Sequence, residues 1–276
     1  MLGKEKIDYS TNSTLPTSRK LETGLPGKVI LITGANTGIG AAIAKGCLDA
    51  GAKSVYSLDL KEPSGTNEFV TVQAEYPGQA FYLNGDVTKI ETLQKAFATV
   101  LEKEETIDGV VANAGVTIRK GALEYTPEEW DFIINVNLKG VVNTCNVAVD
   151  TFLSLRKPGS IVVTASMVSH GTNKSAPSLP YQATKSAILG VVRGFAAEFG
   201  PQGIRINCVS PGYIQTALTT YHLTDDMWDY KLGIWGGLHR LGEPRELAGT
   251  YVYFLSDASS FTSGVDIKVH GATDAW

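Results

Sequence analysis

The sequence predicts a doubly wound, Rossmann-type α/β fold: a parallel sheet with helices on both faces. Three observations carry this. Short β-branched runs recur along the chain, stretches with amphipathic helical spacing separate them, and the runs are apolar almost without interruption. Uninterrupted apolar strands alternating with helices are strands buried on both faces. The alternation starts at Lys28, and no repeat, linker or long charge block divides the chain beyond it, so residues 27–276 read as a single domain. The preceding residues, 1–26, are rich in Ser, Thr, Lys and Pro with little periodicity. They read as a polar N-terminal arm, loosely ordered or docked along the body.

Each element has its own signal. Val29-Ile30-Leu31-Ile32 is a buried strand, followed by a glycine-rich turn and a helical stretch from Ala41 to Ala50. Ser54-Val55-Tyr56-Ser57-Leu58 is the second strand, Leu93 to Glu102 a helix, and Val110-Val111-Ala112 a further strand. Thr126-Pro127-Glu128-Glu129 marks a helix start, with a capping Thr, Pro at the first helical position and Glu three after the cap. Ser160-Ile161-Val162-Val163 and Ile204-Arg205-Ile206-Asn207 are strands, and between them apolar helical spacing runs from Pro180 through Phe199.

Composition narrows the function classes. The 276 residues carry 24 Lys+Arg against 28 Asp+Glu, a net charge of −4, which supplies no phosphate-tracking surface for nucleic acid. The three cysteines, Cys47, Cys145 and Cys208, are scattered without metal-ligand or CxxC spacing, which points to a reducing, cytoplasmic compartment. No apolar stretch approaches the roughly 18 residues of a membrane helix, and the N-terminus lacks an apolar signal core. His222 and His239 have no cysteine neighbours at ligand spacing, and no metal is expected there.

The turn after the first strand reads Thr33-Gly34-Ala35-Asn36-Thr37-Gly38-Ile39-Gly40. A tight strand-to-helix connection alone would explain a glycine cluster. Placed between a strand and a helix, the cluster also lets a pyrophosphate approach backbone N–H groups and the positive end of that helix. Cofactor contacts are therefore expected from Gly34, Asn36, Thr37, Gly38, Ile39 and Gly40. Asp59, with Leu60 beside it, ends the second strand about 20 residues on, where a carboxylate binds ribose hydroxyls and repels a 2′-phosphate. That favours NAD(H), with NADP(H) left open because Lys61 is near and Asp is common before loops such as Pro63-Ser64-Gly65.

Tyr181 and Lys185, one helical turn apart, project from one face. An ammonium beside a phenol favours the phenolate and pulls its pKa down from about 10, giving a group able to exchange a proton with a carbonyl or an alcohol. In isolation such a pair is commonplace on amphipathic helices.

With its neighbours, the chain from about Lys28 to Val269 resembles the short-chain dehydrogenase/reductase family, and Thr164-Ala165-Ser166-Met167 resembles its fungal and yeast carbonyl, sorbose and mannitol reductase branch. The family's cofactor turn matches Thr33-Gly34-x-x-x-Gly38-Ile39-Gly40, its adenine-side motif Gly85-Asp86-Val87, and its Asn-Ala-Gly Asn113-Ala114-Gly115. Asn137 matches the tetrad asparagine, Ser166 the catalytic serine, Tyr181 and Lys185 the Tyr-x-x-x-Lys pair, and Pro211-Gly212 the Pro-Gly after strand six. The resemblance implies an NAD(P)(H)-dependent oxidoreductase interconverting a ketone and a secondary alcohol. In it Ser166 bonds the substrate oxygen, Tyr181 exchanges the proton, Lys185 tunes Tyr181 and holds the nicotinamide ribose, and Asn137 anchors a proton-relaying water. Asp86, Val87, Asn113, Ala114, Gly115, Pro211, Gly212, Ile214 and Thr216 are implied cofactor contacts. Ser169 competes with Ser166 for the serine position, and the Ser166–Tyr181 separation is longer than usual, so a small insertion must loop out. The reductase branch mostly uses NADPH, against Asp59, which decides for NAD(H) here.

Residues 213–240 are the least regular part of the body and correspond to the family's substrate lid. Tyr213, Tyr221, His222, Met227, Trp228, Tyr230, Ile234 and Trp235 suggest a ligand with apolar surface. The family is commonly a homotetramer or dimer through the helix bearing Tyr181, where Ala183, Ala187, Gly190, Gly194 and Ala197 permit close packing. The terminal Trp276 suggests a tail that packs across a subunit boundary. The competing reading is a non-redox relative, a cofactor sensor or a cyclase or dehydratase, which could dispense with the intact tetrad.

Overall fold

The structure is a computed structural model that describes residues 21–172, 177–217, 219 and 237–273. The expectations for the arm (residues 1–20 of it), for lid residues Tyr221 to Trp235 and for Trp276 lie outside the described residues.

Strands β1 (Val29–Thr33), β2 (Ser54–Asp59), β3 (Ala80–Asn84), β4 (Gly109–Ala112), β5 (Gly159–Thr164), β6 (Ile204–Pro211) and β7 (Asp266–Val269) form one sheet in the order β3-β2-β1-β4-β5-β6-β7. Every neighbouring pair is parallel. Helices α1 (Gly38–Asp49), α2 (Glu68–Glu75), α3 (Ile90–Glu104), α4 (Pro127–Ile134), α5 (Gly140–Ser154), α6 (Leu179–Phe199) and α7 (Arg245–Leu255) supply the crossovers. Strand order reverses between β1 and β4, and in an open parallel sheet that reversal opens a crevice beyond the strands' carboxyl ends.

The alternation of strand side chains divides the core in two. Val29, Leu31, Val110, Ile161, Val163 and Ile206 meet the α3, α5 and α6 face. Ile30, Ile32, Val55, Val111, Val162 and Val209 join the residues of α1 and α7, including Ile43, Leu247 and Phe254. Every residue of β1 and β5 is buried, as the uninterrupted apolar runs predict. Strands β3 and β7 carry no comparable run, because edge strands are covered less: only Ala80 of β3, and no residue of β7, is fully buried.

Local signals hold where their chemistry is complete. The Thr126 hydroxyl accepts from the Glu129 N–H and the Glu129 carboxylate accepts from the Thr126 N–H, a full capping box at α4. The carboxyl end of α7 is closed from another strand, by Arg205, whose guanidinium donates to the Phe254 and Ser256 carbonyls at 2.9 and 3.2 Å.

The membrane expectation needs one correction. The continuous helical stretch Pro127–Ser154 is long and apolar enough to cross a membrane by composition, but half of its most apolar window is buried inside the protein. Val141, Cys145, Ala148 and Phe152 pack into the sheet's core, which accounts for the apolar character.

Candidate active site

The crevice is built from backbone first. Gly38 opens α1 at φ +56°, and a Cβ there would lie 3.3 Å from the Thr216 methyl group. A side chain at Gly40 would overlap the Gly34 carbonyl and stand 2.7 Å from Asn113 Nδ2. Thr37 occupies the N-cap of α1, yet its side chain caps no N–H and the first turn holds no acidic residue. The Gly38 N–H makes a long 3.4 Å bond to Glu68 Oε1. A helix end left in this state is an anion seat, since its N–H groups and dipole favour negative charge.

Asn113 holds the turn in place. Its Nδ2 donates to the Thr33 and Gly34 carbonyls at 3.2 and 2.9 Å, and its Oδ1 accepts from the Thr164 hydroxyl at 3.1 Å. The Thr33 hydroxyl accepts from the Asn113 and Ala114 N–H groups. The ends of β1, β4 and β5 are thereby tied together around one amide. Asn36 has a similar task rather than a place on the cavity wall. It is buried, its Nδ2 donates to the Lys61 carbonyl at 2.6 Å, and its Oδ1 accepts from the Ser57 hydroxyl at 2.7 Å. Asp59 accepts from the Asn36 N–H at 3.2 Å and the Leu60 N–H at 2.8 Å.

The resulting cavity, about 680 Å³, runs from Asp59 and Leu60 along Gly34, Thr37, Gly38, Ile39 and Gly40. It continues past Asp86, Val87, Asn113, Ala114 and Gly115 to Tyr181, Lys185 and Thr216. Its volume lies within the range for small-molecule sites. An elongated cleft with a glycine-lined anion seat at its middle and a carboxylate at one end fits a nicotinamide dinucleotide. Phe132, Thr88 and Thr164 also line it and were not expected from the sequence.

A second, smaller cavity of about 110 Å³ adjoins it, lined by Ser166, Tyr181, Pro211, Gly212 and Ile214. Tyr181 and Thr216 line both. Thr117, Arg119, Met167, Val168 and Tyr213 are also part of this wall, and Thr117, Arg119, Met167 and Val168 were not expected from the sequence as site residues. The signal available for Arg119 was its position shortly after Asn113-Ala114-Gly115, at the carboxyl end of a central strand.

Ser166 is buried, and its hydroxyl accepts from the Val168 N–H at 3.3 Å. The alternative serine, Ser169, donates its hydroxyl to the Lys185 carbonyl at 2.7 Å and does not line the cavity. Within the Ser166–Tyr181 connection, residues 173–176, where an insertion would loop out, lie outside the described residues.

The titration of Tyr181 departs from expectation. Burial of the phenol pushes its pKa above the ordinary value, opposed by its hydrogen bond with Ser166 and by the charge of Arg119. Lys185 does not oppose it: Nζ lies 5.7 Å from the Tyr181 ring centre and donates to the Thr164 carbonyl at 2.6 Å. The spacing that put the two residues on one face left open where the ammonium would point. Burial lowers Lys185 itself to about 8.

The fold therefore suppresses protonation of Lys185, whereas the unfolded chain binds that proton up to about pH 10.5. Between pH 8 and 10.5 the unfolded state holds more protons, so the Lys185 penalty is fully present below pH 8 and is relieved as pH rises. Unfolding the apo protein in urea should show Lys185→Met gaining on wild type below pH 8. That relative advantage should shrink by about 3 kcal/mol by pH 10.5. A gap independent of pH would contradict a buried ammonium.

Asn137 sits in a π-helical turn, Asn135–Lys139, between α4 and α5, and is fully buried. Single π-turns inside helices often mark functional sites. Its Oδ1 accepts from the Val116 N–H and its Nδ2 donates to the Val116 carbonyl, both at 2.8 Å. The side chain thus fastens the loop after β4. Among the described residues no cluster of His, Cys, Asp or Glu is arranged to hold a metal.

Residues 34–272 match a family model described as enoyl-(acyl carrier protein) reductase. The chain is 36% identical over 253 residues to the acetoacetyl-CoA reductase of Synechocystis sp., covering 91% of this chain and 98% of that one. It is 30% identical to an NADP-dependent mannitol dehydrogenase of Hypocrea jecorina, over 93% of this chain and 97% of that one. A solved short-chain type dehydrogenase/reductase from Mycobacterium marinum superposes with a TM-score of 0.86 at 32% identity, covering 92% and 98%.

Proposed function

The chain belongs to the short-chain dehydrogenase/reductase family, and from that premise we propose a residue-level mechanism. It is an NAD(P)-dependent oxidoreductase that interconverts a ketone and a secondary alcohol, and the reductases and dehydrogenases among its relatives favour this over a non-redox role. The observation carrying the mechanism is that Tyr181 lines both cavities, with Ser166 on one side and Lys185 on the other.

The substrate carbonyl lies in the smaller cavity with its oxygen between the Ser166 and Tyr181 hydroxyls. When bound in the larger cavity, the nicotinamide cofactor supplies the hydride to the carbonyl carbon or takes it back from the alcohol. Ser166 donates to the oxygen as charge grows there, and Tyr181 transfers its proton to that oxygen. A phenol whose pKa is held high by burial keeps its proton at neutral pH, which suits reduction, and Ser166 and Arg119 moderate the phenolate that forms. Lys185, near the same end of the larger cavity, holds the nicotinamide ribose, and Asn137 keeps the Val116 loop in register. Met167, Val168 and Ile214 give the substrate one apolar flank.

NAD(H) is the proposed preference. Asp59 lines the adenosine end, Glu68 stands by at Gly38, and among the described residues no cation is ion-paired with Asp59 to offset its charge on a 2′-phosphate. The mannitol dehydrogenase relative is named NADP-dependent, so the preference needs its own test. Protein-dependent absorbance of NADH and of NADPH should be followed across a panel of ketones. Wild type should use NADH at least tenfold more efficiently, and Asp59→Ser should narrow the gap. Equal or better use of NADPH by wild type would refute the assignment.

We further propose a homodimer or homotetramer formed through α6, supported by Gly190 and Gly194, where an added Cβ would meet nothing within 4 Å among the described residues. A cytoplasmic setting is supported by three buried free thiols. No nucleic-acid or membrane partner is proposed.

A further inference from the structure

Thr164, at the end of β5, lines both cavities, and its two polar groups hold two parts of the cofactor seat. Its hydroxyl donates to Asn113 Oδ1 at 3.1 Å, and its carbonyl accepts from Lys185 Nζ at 2.6 Å. Donor and acceptor roles around that hydroxyl are fixed. Asn113 Nδ2 faces two carbonyls, those of Thr33 and Gly34, so Oδ1 is the atom that accepts. Donating there spends the single hydroxyl proton of Thr164. Thr164 Oγ1 also lies 2.9 Å from the Tyr251 hydroxyl, which must therefore be the donor of that bond. A directed series results: Tyr251 donates to Thr164, Thr164 to Asn113, and Asn113 to the Gly34 carbonyl in the glycine turn.

Tyr251 is fully buried on α7 and is absent from the described walls of both cavities. Burial holds its pKa far above the ordinary value, so the hydroxyl keeps the proton that the series requires. The helix that carries it is a fixed post. A Cβ on Gly46 of α1 would lie 2.6 Å from the Ala248 Cβ, so α1 and α7 are in close contact one turn before Tyr251. One turn beyond it, Ser160 of β5 and Arg205 of β6 both donate to the Phe254 carbonyl, at 2.7 and 2.9 Å.

Resting on the dinucleotide reading of the larger cavity, we propose that Tyr251 is a positioning residue for the cofactor, reaching the glycine turn through Thr164 and Asn113 without touching the ligand. Its hydroxyl holds the Thr164 side chain in the rotamer that donates to Asn113. Without that donor the Thr164 hydroxyl is free to turn away, and the amide that ties β1, β4 and β5 together loses its acceptor-side bond. Because the Thr164 carbonyl also holds the Lys185 ammonium, both the pyrophosphate and the nicotinamide ribose ends of the cleft feel the change. A purely structural phenol would behave differently: its loss would lower stability and leave cofactor affinity alone.

NADH and NADPH are titrated separately into the full chain by fluorescence, alongside thermal melts. Tyr251→Phe removes one oxygen and should raise the Kd of the better-bound cofactor at least about threefold, the scale of one lost hydrogen bond. The KM for that cofactor should rise in parallel while kcat at saturation stays within about twofold. Tyr253→Phe is the matched control: on the same helix, its hydroxyl bonds Thr262 Oγ1 at 3.0 Å, and its loss should leave cofactor affinity at the wild-type value. Thr164→Val should also weaken cofactor binding, and adding Tyr251→Phe to it should cost nothing more, because the series is already cut. The inference is overturned if Tyr251→Phe raises Kd by less than about threefold, whatever its melting temperature, or if Tyr253→Phe raises Kd as much. It is also overturned if kcat falls in place of a rise in KM, or if the two substitutions add in the double variant. If wild type binds neither cofactor, the dinucleotide reading falls and this inference with it; wild-type binding that survives Tyr251→Phe overturns the inference alone.

Discussion

Tyr181→Phe should lower kcat for ketone reduction about 10²- to 10⁴-fold, the span that loss of a positioned proton donor produces. The substitution removes one oxygen and keeps the ring, so the wall shared by the two cavities retains its shape. Cofactor should still bind, measured by quenching of protein fluorescence, because the glycine turn and the Asp59 end are remote from the lost hydroxyl. Burial holds the phenol protonated, so wild-type reduction should persist through neutral pH and decline only as the solution approaches the raised phenol pKa. Near-normal turnover by the variant would mean that another group delivers the proton.

Gly40→Val should abolish measurable cofactor binding, a loss of at least about 100-fold, and lower the melting temperature as well. The new Cβ would collide with the Gly34 carbonyl and crowd Asn113 Nδ2, two groups held in place that cannot swing aside. Relief requires moving the turn, which breaks the Asn113 bonds to Thr33 and Gly34 that tie β1 to β4. Overpacking of this kind costs about 1–3 kcal/mol in fold stability. The effect on binding is larger, because the same shift displaces the uncapped N–H groups of α1. Titration with NADH and a thermal melt read the two losses separately, and retained affinity in the variant would contradict the anion seat.

Both predictions concern features visible in the sequence, and the reason is physical. Central strands such as β1 and β5 must be apolar on both faces, so their runs stand out, whereas the edge strands β3 and β7 are half-covered and carry weak patterns. The glycines are legible because a tight strand-to-helix turn demands them, whereas the Tyr181–Lys185 pair, commonplace by itself, is legible only through the family resemblance carried by the motifs around it. Long-range consequences are not. The direction of the Tyr181 shift depends on how deeply the cavity buries the phenol and on Lys185 turning to the Thr164 carbonyl, neither of which spacing encodes. The staple from Asn137 to Val116 joins residues 21 apart through side-chain geometry, and the bonds of the Tyr125 hydroxyl to Ile118 and Lys120, on either side of Arg119, belong to a loop without periodicity. A lone arginine in such a loop has no sequence signature. Only the fold shows that it faces the same small cavity as Ser166 and Tyr181.

A ketone held between Ser166 and Tyr181 would receive hydride from a nicotinamide cofactor whose pyrophosphate the glycine turn would hold. Incubating the protein with reduced cofactor deuterated at the transferable position, and analysing the product by mass spectrometry, tests it directly. One deuterium is expected on the carbinol carbon of the alcohol formed, with a rate of labelling that collapses in Tyr181→Phe. Alcohol formed without the label, or cofactor bound tightly with no deuterium reaching any ketone offered, would contradict it.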